Sequence, residues 1–402
     1  MIAISNTKND TWKAKYTYAA SIFGCIILWI TVYNKPAVIS TTQRFMDDLT
    51  SPLVSDENAT TLCTSKSFNQ GKWVYDPLRL ETPFTSTDIA EAAGYYCIKK
   101  FAHRCFRRPG ESELIRAKQI MDYKWQPDSC KLLEMNTERL ANHLVSHPIL
   151  FVGDSITQLQ YESLGCLLGS HLPNRHPINA DLNGGNNKIR VNQLAPEDKE
   201  TAAMAYIRSD YLIRLDDFKM ISPFEPVGTQ LGSGENYPWV HALSKFDYIV
   251  INTGPHWHPN IHWGPNASEE ELLAAFKRAM AVVLDYLQQN LQPHQKVWIR
   301  TTPYGHARCS QFREPQLNPL TPSGQTGEYE WHLFPKFDQI WKELLNSESE
   351  KDPRFDMFDI AGMSNQRGDA HSKPDVDCLH TCIPGPVDEW NRLLYHEIMK
   401  SA

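Results

Sequence analysis

Residues 148–169 read PILFVGDSITQLQYESLGCLLG, and this stretch decides the fold class. It begins with a short apolar run bounded by proline and glycine, which is typical of a buried strand. After Gly153, apolar residues recur at near-helical spacing as far as Gly169. A strand, a tight turn and a helix form the opening of a βαβ unit, and such units build parallel sheets.

The same alternation continues along the rest of the chain. Further strands are expected at 203–208, 246–252, 296–301 and 355–360, and helices at 269–291, at about 335–345 and after Pro386. Alternating strands and helices predict a mostly parallel sheet that is covered on both faces, over residues 147–402.

The N-terminal part of the chain predicts a membrane anchor. Residues 16–33 carry no charge, and as a helix they would reach roughly 27 Å, about the hydrocarbon thickness of a thin bilayer. Lysines precede this run, so residues 1–15 are expected in the cytosol and the remainder in the lumen. The short span favours the Golgi over the thicker plasma membrane. A cleaved signal peptide is the alternative.

Composition excludes several classes of protein. The chain has 402 residues, of which 41% are hydrophobic, so neither a disordered chain nor a multi-span membrane protein is expected. There are 40 basic and 47 acidic residues, without a basic block that would indicate nucleic-acid binding. Because no phosphate-binding glycine loop follows a strand, no nucleotide cofactor is expected.

Eight cysteines lie beyond the predicted anchor, and an even number in an oxidising lumen predicts four disulfides. Their connectivity is open, and the set is Cys63, Cys97, Cys105, Cys130, Cys166, Cys309, Cys378 and Cys382. Residues 34–62 are expected to form a solvated stem, and residues 63–146 a disulfide-tied, irregular subdomain. Sequons at Asn58 and Asn266 are compatible with glycosylation in the lumen.

Gly153, Asp154 and Ser155 fall at the carboxyl end of a predicted strand, where α/β proteins place their sites. The glycine allows a sharp turn beside a ligand, and Ser155 begins a helix whose first N–H groups point towards an anion. These features suit the nucleophile of an acyl transfer. A serine at the start of a helix is also a common N-cap.

A serine nucleophile needs a base and a group that orients the base. Asp377-Cys378-Leu379-His380 contains the only Asp-x-x-His of the chain, in a segment framed by Cys378 and Cys382. The three-residue offset lets one constrained loop present a carboxylate and an imidazole together. A surface histidine beside a surface aspartate is the alternative interpretation.

Residues 252–258 form a third candidate block. Asn252 follows a strong strand and could donate to an oxyanion, with Gly254 allowing a close approach, although a turn-forming asparagine fits equally well. Trp257 beside His256 suits stacking on a sugar, although a partly buried tryptophan cluster explains the same residues. The three histidines of this region have no nearby acids and match a metal site poorly: His256, His258 and His262.

Three motifs together resemble a known family. They are GDS…QxxSLxCLL at 153–168, NTGxxW at 252–257 and DCxHxCxPGPxDxWNxLL at 377–394. Their order is similar to that of the trichome birefringence-like polysaccharide O-acetyltransferases, in the PC-esterase group of the SGNH/GDSL superfamily. Upstream, FNQGKWVYD at 68–76 and YKWQPDSC at 123–130 resemble the cysteine-rich segment of that family.

The resemblance implies a type II Golgi membrane protein with an α/β/α sandwich. It implies a Ser-His-Asp triad in which Ser155 is the nucleophile, His380 the base and Asp377 its partner. No bound cofactor is expected; the acetyl donor is expected as a co-substrate, and whether it is acetyl-CoA or a relay protein is left open by the sequence. Two loops depart from the plant pattern: residues 254–258 read GPHWH where Gly-His-Trp-Trp is common, and residues 380–382 read His-Thr-Cys where His-Trp-Cys is common.

The sequence therefore predicts an O-acetyltransferase acting on a cell-wall or secreted polysaccharide through an acetyl-serine intermediate. The Ser155 N–H and Asn252 are the expected oxyanion donors. Contacts to substrate are expected from Gly153, Asp154, Gly254, His256 and Trp257. A carbohydrate acetylesterase with the same triad and an inactive glycan-binding protein are the alternatives. The expected partners are the polysaccharide, the acetyl donor and the membrane, without metal or nucleic acid.

Overall fold

The computed structural model describes residues 61–401, except 98–99, 178–190, 196–201, 217–218, 223–228, 232–233, 237–238, 259–264, 267, 323–329, 347–351 and 375. The predicted cytosolic tail, the anchor at 16–33, nearly all of the stem and the Asn58 sequon lie outside these residues. Among the residues that are described, no helix is both long enough and apolar enough to cross a membrane.

The strands follow in chain order. They are β1 (Gly71–Tyr75), β2 (Tyr123–Pro127), β3 (Ile149–Gly153), β4 (Asn174–Pro177), β5 (Val191–Ala195), β6 (Met204–Arg208), β7 (Arg214–Asp216), β8 (Lys219–Ser222), β9 (Thr229–Leu231), β10 (Gly234–Asn236), β11 (Tyr248–Ile251), β12 (Lys296–Arg300), β13 (Phe355–Phe358), β14 (His371–Lys373) and β15 (Asp377–Thr381).

The helices are α1 (Ser65–Phe68), α2 (Ser86–Ala92), α3 (Glu111–Met121), α4 (Thr137–Ser146), α5 (Ser155–Leu167), α6 (Glu269–Asn290), α7 (Phe334–Asn346), α8 (Ala361–Ser364) and α9 (Pro386–Met399). Short 3₁₀ helices cover Cys105–Arg107, Trp239–Lys245, Cys309–Gln311, Trp331–Leu333 and Gly368–Ala370.

A seven-stranded sheet forms the centre of the fold, in the order β13-β12-β11-β3-β6-β5-β4. The five strands from β13 to β6 are parallel, and β5 and β4 extend the edge in antiparallel pairing. The predicted mostly parallel sheet is therefore confirmed. Strand β3 lies in the middle and is fully buried, as its unbroken apolar sequence predicts.

The connections place helices on both faces of the sheet. Helix α5 follows β3 on the way to β6, whereas α6 and α7 follow β11 and β12 as the strand order runs towards the opposite edge. Because crossovers between parallel strands are right-handed, the two directions put α5 on one face and α6 and α7 on the other. Helix α9 packs on α5, and α6 packs on α7.

The direction of winding reverses at β3. The chain first reaches β6 on one side of β3 and then crosses to β11 on the other side. In open α/β sheets the crevice at such a switch point, beyond the carboxyl ends of the strands, is where ligands bind. The turns after β3 and β11 therefore meet at the place where the sequence predicts the site.

The segment before the sheet is more regular than predicted. Residues 63–146 contain several helices and the antiparallel pair β1–β2, in which Trp73 lies opposite Trp125. The paired strands are far apart in the sequence, so local periodicity does not reveal them. Residues 60–402 form one compact unit.

All eight predicted cysteines are paired. The disulfides join Cys63 to Cys130, Cys97 to Cys166, Cys105 to Cys382 and Cys309 to Cys378. Asn266 is exposed, just before the N-cap Ser268 of α6, and its glycosylation stays a prediction.

Candidate active site

The turn after β3 is built on Gly153. Its φ is +152°, a value that side-chain-bearing residues rarely adopt. A Cβ at this position would lie 2.3 Å from the carbonyl oxygen of Asn252 and 2.4 Å from Oγ1 of Thr157. The glycine therefore lets β11 and the first turn of α5 approach closely.

Asp154 caps the helix, which leaves the neighbouring serine hydroxyl available. The Oδ1 atom of Asp154 accepts the N–H of Ile156 at 2.8 Å, and Ser155 is the first helical residue. The alternative interpretation of Ser155 as an N-cap is thus wrong, because the preceding residue has that role. Ser155 is also among the few partly exposed residues of a mostly buried helix.

Ser155, His380 and Asp377 form a hydrogen-bonded line. Ser155 Oγ lies 2.8 Å from His380 Nε2, and His380 Nδ1 lies 2.9 Å from Asp377 Oδ2. An ionised carboxylate only accepts hydrogen bonds, so Nδ1 carries the proton and Nε2 accepts the serine O–H. The distances and donor directions are those that a serine nucleophile and its base require.

Asp377 is held in the ionised form. Burial raises the pKa of this carboxyl, but the hydrogen bond and positive charge of His380 lower it more. The N–H groups of Leu379 and His380, each 3.1 Å from Oδ1, lower the pKa of Asp377 further. The pKa therefore lies well below its ordinary value, and the carboxylate can orient the imidazole at any pH near neutrality.

The hairpin of β14 and β15 carries both the base and its partner. Within β15, Cys378 is bonded to Cys309, and just after the strand Cys382 is bonded to Cys105. On β14, Arg108 and Arg116 both donate to the carbonyl of Ser372. Disulfides and arginines from other segments thus hold this hairpin against the end of the sheet.

Asn252 does not fit its predicted role as an oxyanion donor. Its Nδ2 donates to the carbonyl of Arg300 at 2.9 Å and to Oγ1 of Thr302 at 2.7 Å, which uses both amide hydrogens. The opposite amide orientation is excluded, because Oδ1 accepts from the Arg300 guanidinium at 2.7 Å. The side chain is buried and joins β11 to β12 instead.

Arg300 was not singled out from the sequence, although it is central to the framework of the site. Its buried guanidinium donates to Ile156 O and to Oγ1 of Thr157 at the start of α5, and it stacks over Trp390 of α9. Burial lowers the pKa of Arg300 to about 10, and the negative charge of Asp154 opposes that shift. A basic residue that ends an otherwise buried strand, KVWIR, is the signal that could have identified it.

The block from 254 to 258 packs inside the protein. Trp257 is fully buried, its indole N–H donates to Thr253, and its ring meets those of Tyr211 and Phe276 edge to face. Its predicted stacking on a sugar is therefore wrong, since neither ring face is open. His256 is equally buried, and a Cβ on Gly254 would lie 3.3 Å from a Thr302 side chain.

A group of ionisable side chains surrounds the buried carboxylate of Asp210. Arg208 makes hydrogen bonds to both carboxylate oxygens of Asp210, and His256 Nε2 lies 3.6 Å from the same carboxylate. Burial raises the pKa of Asp154, and the negative charge of Asp210 adds to that shift, whereas His256 and Arg300 oppose it. Asp154 and His256 therefore belong to a charged framework rather than to an open substrate surface.

An α/β sheet that carries a Ser–His–Asp line at its switch point has the architecture of serine-dependent esterases and acyltransferases. The comparison with known families agrees with that class. Residues 132–397 match PC-Esterase, the GDSL/SGNH-like acyl-esterase family found in Pmr5 and Cas1p, and the chain belongs to this family. The protein is accordingly an enzyme of the esterase and acetyltransferase kind.

Relatives in Arabidopsis thaliana match over most of the chain. Protein trichome birefringence-like 13 is 23% identical over 398 residues, covering 90% of each chain. Protein trichome birefringence-like 38 is 25% identical and covers 81% of this chain and 82% of its own. Xyloglucan O-acetyltransferase 1 is 24% identical and covers 81% of this chain and 79% of its own. The predicted kinship with the trichome birefringence-like proteins is confirmed.

Proposed function

We propose that this protein transfers acetyl groups to hydroxyls of a polysaccharide, with Ser155 as the nucleophile. The observation that carries the proposal is the line from Asp377 through His380 to Ser155, with donor–acceptor distances of 2.9 and 2.8 Å. The family membership supports acyl chemistry, and a relative named xyloglucan O-acetyltransferase supports a polysaccharide acceptor.

In the first half of the reaction His380 Nε2 takes the proton of Ser155 while Oγ attacks the carbonyl carbon of the acetyl donor. Asp377 stabilises the imidazolium that forms. The tetrahedral intermediate collapses by breaking the bond to the leaving group, which receives the proton from His380. The products are acetyl-Ser155 and the acetyl donor without its acetyl group.

In the second half a sugar hydroxyl takes the place of the leaving group. His380 removes its proton, the sugar oxygen attacks the acetyl carbon, and the ester bond to Ser155 breaks. The serine oxygen recovers the proton from His380, so the enzyme is regenerated and no proton is gained or lost. A water molecule entering in place of the sugar would give acetate instead.

The N–H of Ser155 is proposed as an oxyanion donor in both halves. It belongs to the first residue of α5, and the first N–H groups of a helix have no acceptor within the helix. The positive end of the α5 dipole also favours negative charge at this position. Asn252 is omitted from this role, because its amide hydrogens are donated to Arg300 O and Thr302 Oγ1.

The setting proposed for this reaction is the Golgi lumen, with residues 16–33 as a type II anchor. The apolar run, the lysines before it and four disulfides beyond it support this location. The acetyl donor is proposed to be acetyl-CoA or a relay protein that acts as co-substrate rather than as a bound cofactor.

A carbohydrate acetylesterase is a second candidate, because the family description itself reads acyl-esterase. The experiment incubates the full-length protein with acetyl-CoA and xyloglucan, xylan or pectin oligosaccharides, and measures acetylated sugar and free acetate. Transfer predicts acetylated sugar in excess of acetate. Release of acetate from pre-acetylated oligosaccharides, without transfer, would favour the esterase.

A matched variant separates both enzymes from an inactive glycan-binding protein. Ser155→Ala removes one oxygen at a partly exposed position and is expected to abolish both products while leaving the fold intact. If neither the wild type nor the variant forms product while both bind the oligosaccharides, the glycan-binding alternative holds.

A further inference from the structure

A second histidine, His103, lies against the ring of His380 and has no part in the acyl-transfer steps above. The two imidazole rings are stacked nearly parallel, with centroids 4.9 Å apart and an angle of 14° between their planes. The nitrogens of His380 contact Ser155 and Asp377, whereas His103 covers a face of the ring. The base is therefore constrained at its edge and at its face.

Covalent and backbone contacts hold the two rings at this separation. Cys105, two residues after His103, is bonded to Cys382, two residues after His380. The carbonyl of His103 also accepts the N–H of Ile383 at 2.9 Å. The segments that carry the rings are thus fixed to each other independently of the stack.

The orientation of the His103 ring is fixed as well. Its Nδ1 is hydrogen-bonded at 2.9 Å to the hydroxyl of Ser372, which is fully buried on β14. The neighbouring strand β15 carries His380 itself. This hydrogen bond satisfies a ring nitrogen of His103 and sets the orientation of the imidazole beside His380.

Burial, together with nearby positive charges, lowers the pKa of His103 and keeps its ring neutral. Burial lowers the pKa of His103 most, and the positive charge of His380 lowers it further, to about 4. Asp377 opposes this shift, whereas Lys373 and Arg108 add to it. A neutral aromatic face attracts a cation, so it favours the imidazolium that His380 becomes during the reaction. A second imidazolium there would repel it.

We propose that His103 is a positioning residue, which holds the ring of His380 in line with Ser155 and stabilises its protonated form during acyl transfer. This role rests on the proposed function, because it acts only through His380.

The test uses full-length protein and 4-nitrophenyl acetate as an acyl donor, and measures the rate of Ser155 acylation between about pH 5 and pH 8. His103→Ala is expected to slow acylation about three- to tenfold. The inflection of its pH–rate profile should move about half a pH unit lower, because the imidazolium loses its stacking partner. His103→Phe keeps an aromatic face and is expected to stay within about threefold of the wild type.

Ser372→Ala is the second variant, because it retains the His103 imidazole but removes the hydrogen bond that orients the ring. Ser372→Ala is expected to lower the pH of the inflection by less than His103→Ala does. If thermal unfolding shows that His103→Ala is not folded, Ser372→Ala becomes the variant that tests the proposal. An inflection that stays at the wild-type pH in folded His103→Ala, or in Ser372→Ala where His103→Ala is unfolded, overturns the proposal. A slowdown that His103→Phe does not rescue also overturns it.

The outcomes also separate this proposal from the triad mechanism. If the wild type is not acylated at Ser155, the proposed function fails and the role of His103 fails with it. If the wild type is acylated and His103→Ala has the same rate and inflection, only the role of His103 fails.

Discussion

Gly153 shows how a single residue positions the nucleophile. Gly153→Ala is expected to lower the free energy of unfolding by about 3 kcal/mol or more and to abolish activity. The added Cβ would lie 2.3 Å from the carbonyl oxygen of Asn252, so β3 and β11 would have to separate. Urea denaturation and an acetyl-transfer assay measure the two effects.

Gly94→Ala is the matched control for that substitution. Gly94 has a φ of +65°, and a Cβ there would meet nothing within 4 Å. Its cost is therefore that of the backbone conformation alone, about 1 kcal/mol. Equal costs at the two glycines would contradict the close approach described for Gly153.

Asn252 provides a prediction that differs from the one its sequence position suggests. If Asn252 were an exposed oxyanion donor, its removal would reduce kcat by about 10²–10³ without affecting stability. Because the amide instead satisfies buried Arg300, Asn252→Ala is expected to lower the free energy of unfolding by about 2–4 kcal/mol. Denaturation curves distinguish the two. A stable variant with a large loss of kcat would restore the oxyanion role.

Asp377 is predicted to act by selecting the tautomer of His380. In Asp377→Asn the amide can donate to Nδ1, which moves the ring proton to Nε2 and removes the acceptor for the Ser155 hydroxyl. A loss of about 10⁴ in kcat is expected, with the fold retained. Activity close to that of the wild type in a folded variant would show that His380 is not the base.

At the scale of elements, the hairpin of β14 and β15 depends on disulfides in a way that can be measured. The bridges Cys309–Cys378 and Cys63–Cys130 close segments of nearly equal length, with sequence separations of 69 and 67 residues. Removing either pair by serine substitution is expected to cost a similar free energy, about 2–5 kcal/mol.

The two pairs differ in their distance along the chain from the base. Cys378 is next to Asp377, whereas Cys63 and Cys130 lie in the N-terminal segment. Loss of Cys309–Cys378 is therefore expected to reduce kcat well beyond the effect of losing Cys63–Cys130, at a temperature where both variants are folded. Equal activities would show that the disulfide does not position the hairpin.

The sequence predicted the βαβ elements well and the connecting segments less well. Strands such as β3 are continuous apolar runs, and α6 follows a serine N-cap and has acids in its first turn, so local patterns identify them. The strands of the pair β1–β2 lie far apart in the sequence, and the hairpin β14–β15 is held in place by disulfides to Cys105 and Cys309. No local period encodes these long-range contacts.

At the scale of the whole molecule, stability is predicted to fall in mild acid. Burial lowers the pKa of His306 from 6.5 to about 4, and burial and His306 together lower the pKa of buried His371. The folded protein therefore binds fewer protons than the unfolded chain between these pH values, so acid favours unfolding. The contribution of His306 alone should make the free energy of unfolding of the protein about 2 kcal/mol smaller at pH 5 than at pH 7.

His306→Gln tests that assignment. In the wild type, His306 Nδ1 lies 2.6 Å from Nε2 of His371. The amide of a glutamine can replace that hydrogen bond without titrating. The variant should lose less stability than the wild type between pH 7 and pH 5 in urea denaturation. An identical loss would assign the acid sensitivity to other groups. Asp377, whose pKa is lowered, contributes only at lower pH, because its stabilisation is lost as pH falls below the ordinary range of a carboxyl.

The residues of the candidate site that stand in short motifs could be predicted from the sequence. The residues whose role depends on the direction of the side chain in the folded protein could not. Ser155, His380 and Asp377 stand in recognisable local patterns, and the structure brings them together. Trp257 and Asn252 also follow a strand, but their side chains turn inwards, and no pattern distinguishes inward from outward at the end of a strand. His103 lies between cysteines without any periodic context.

The formation of acetyl-Ser155 is the most direct test of the central claim. Full-length protein is mixed with acetyl-CoA in the absence of acceptor, quenched, digested and analysed by peptide mass spectrometry. The triad mechanism predicts an acetyl adduct on Ser155 that disappears when an oligosaccharide acceptor is added and never forms in Ser155→Ala. Acetylated oligosaccharide produced by Ser155→Ala at the wild-type rate would contradict it.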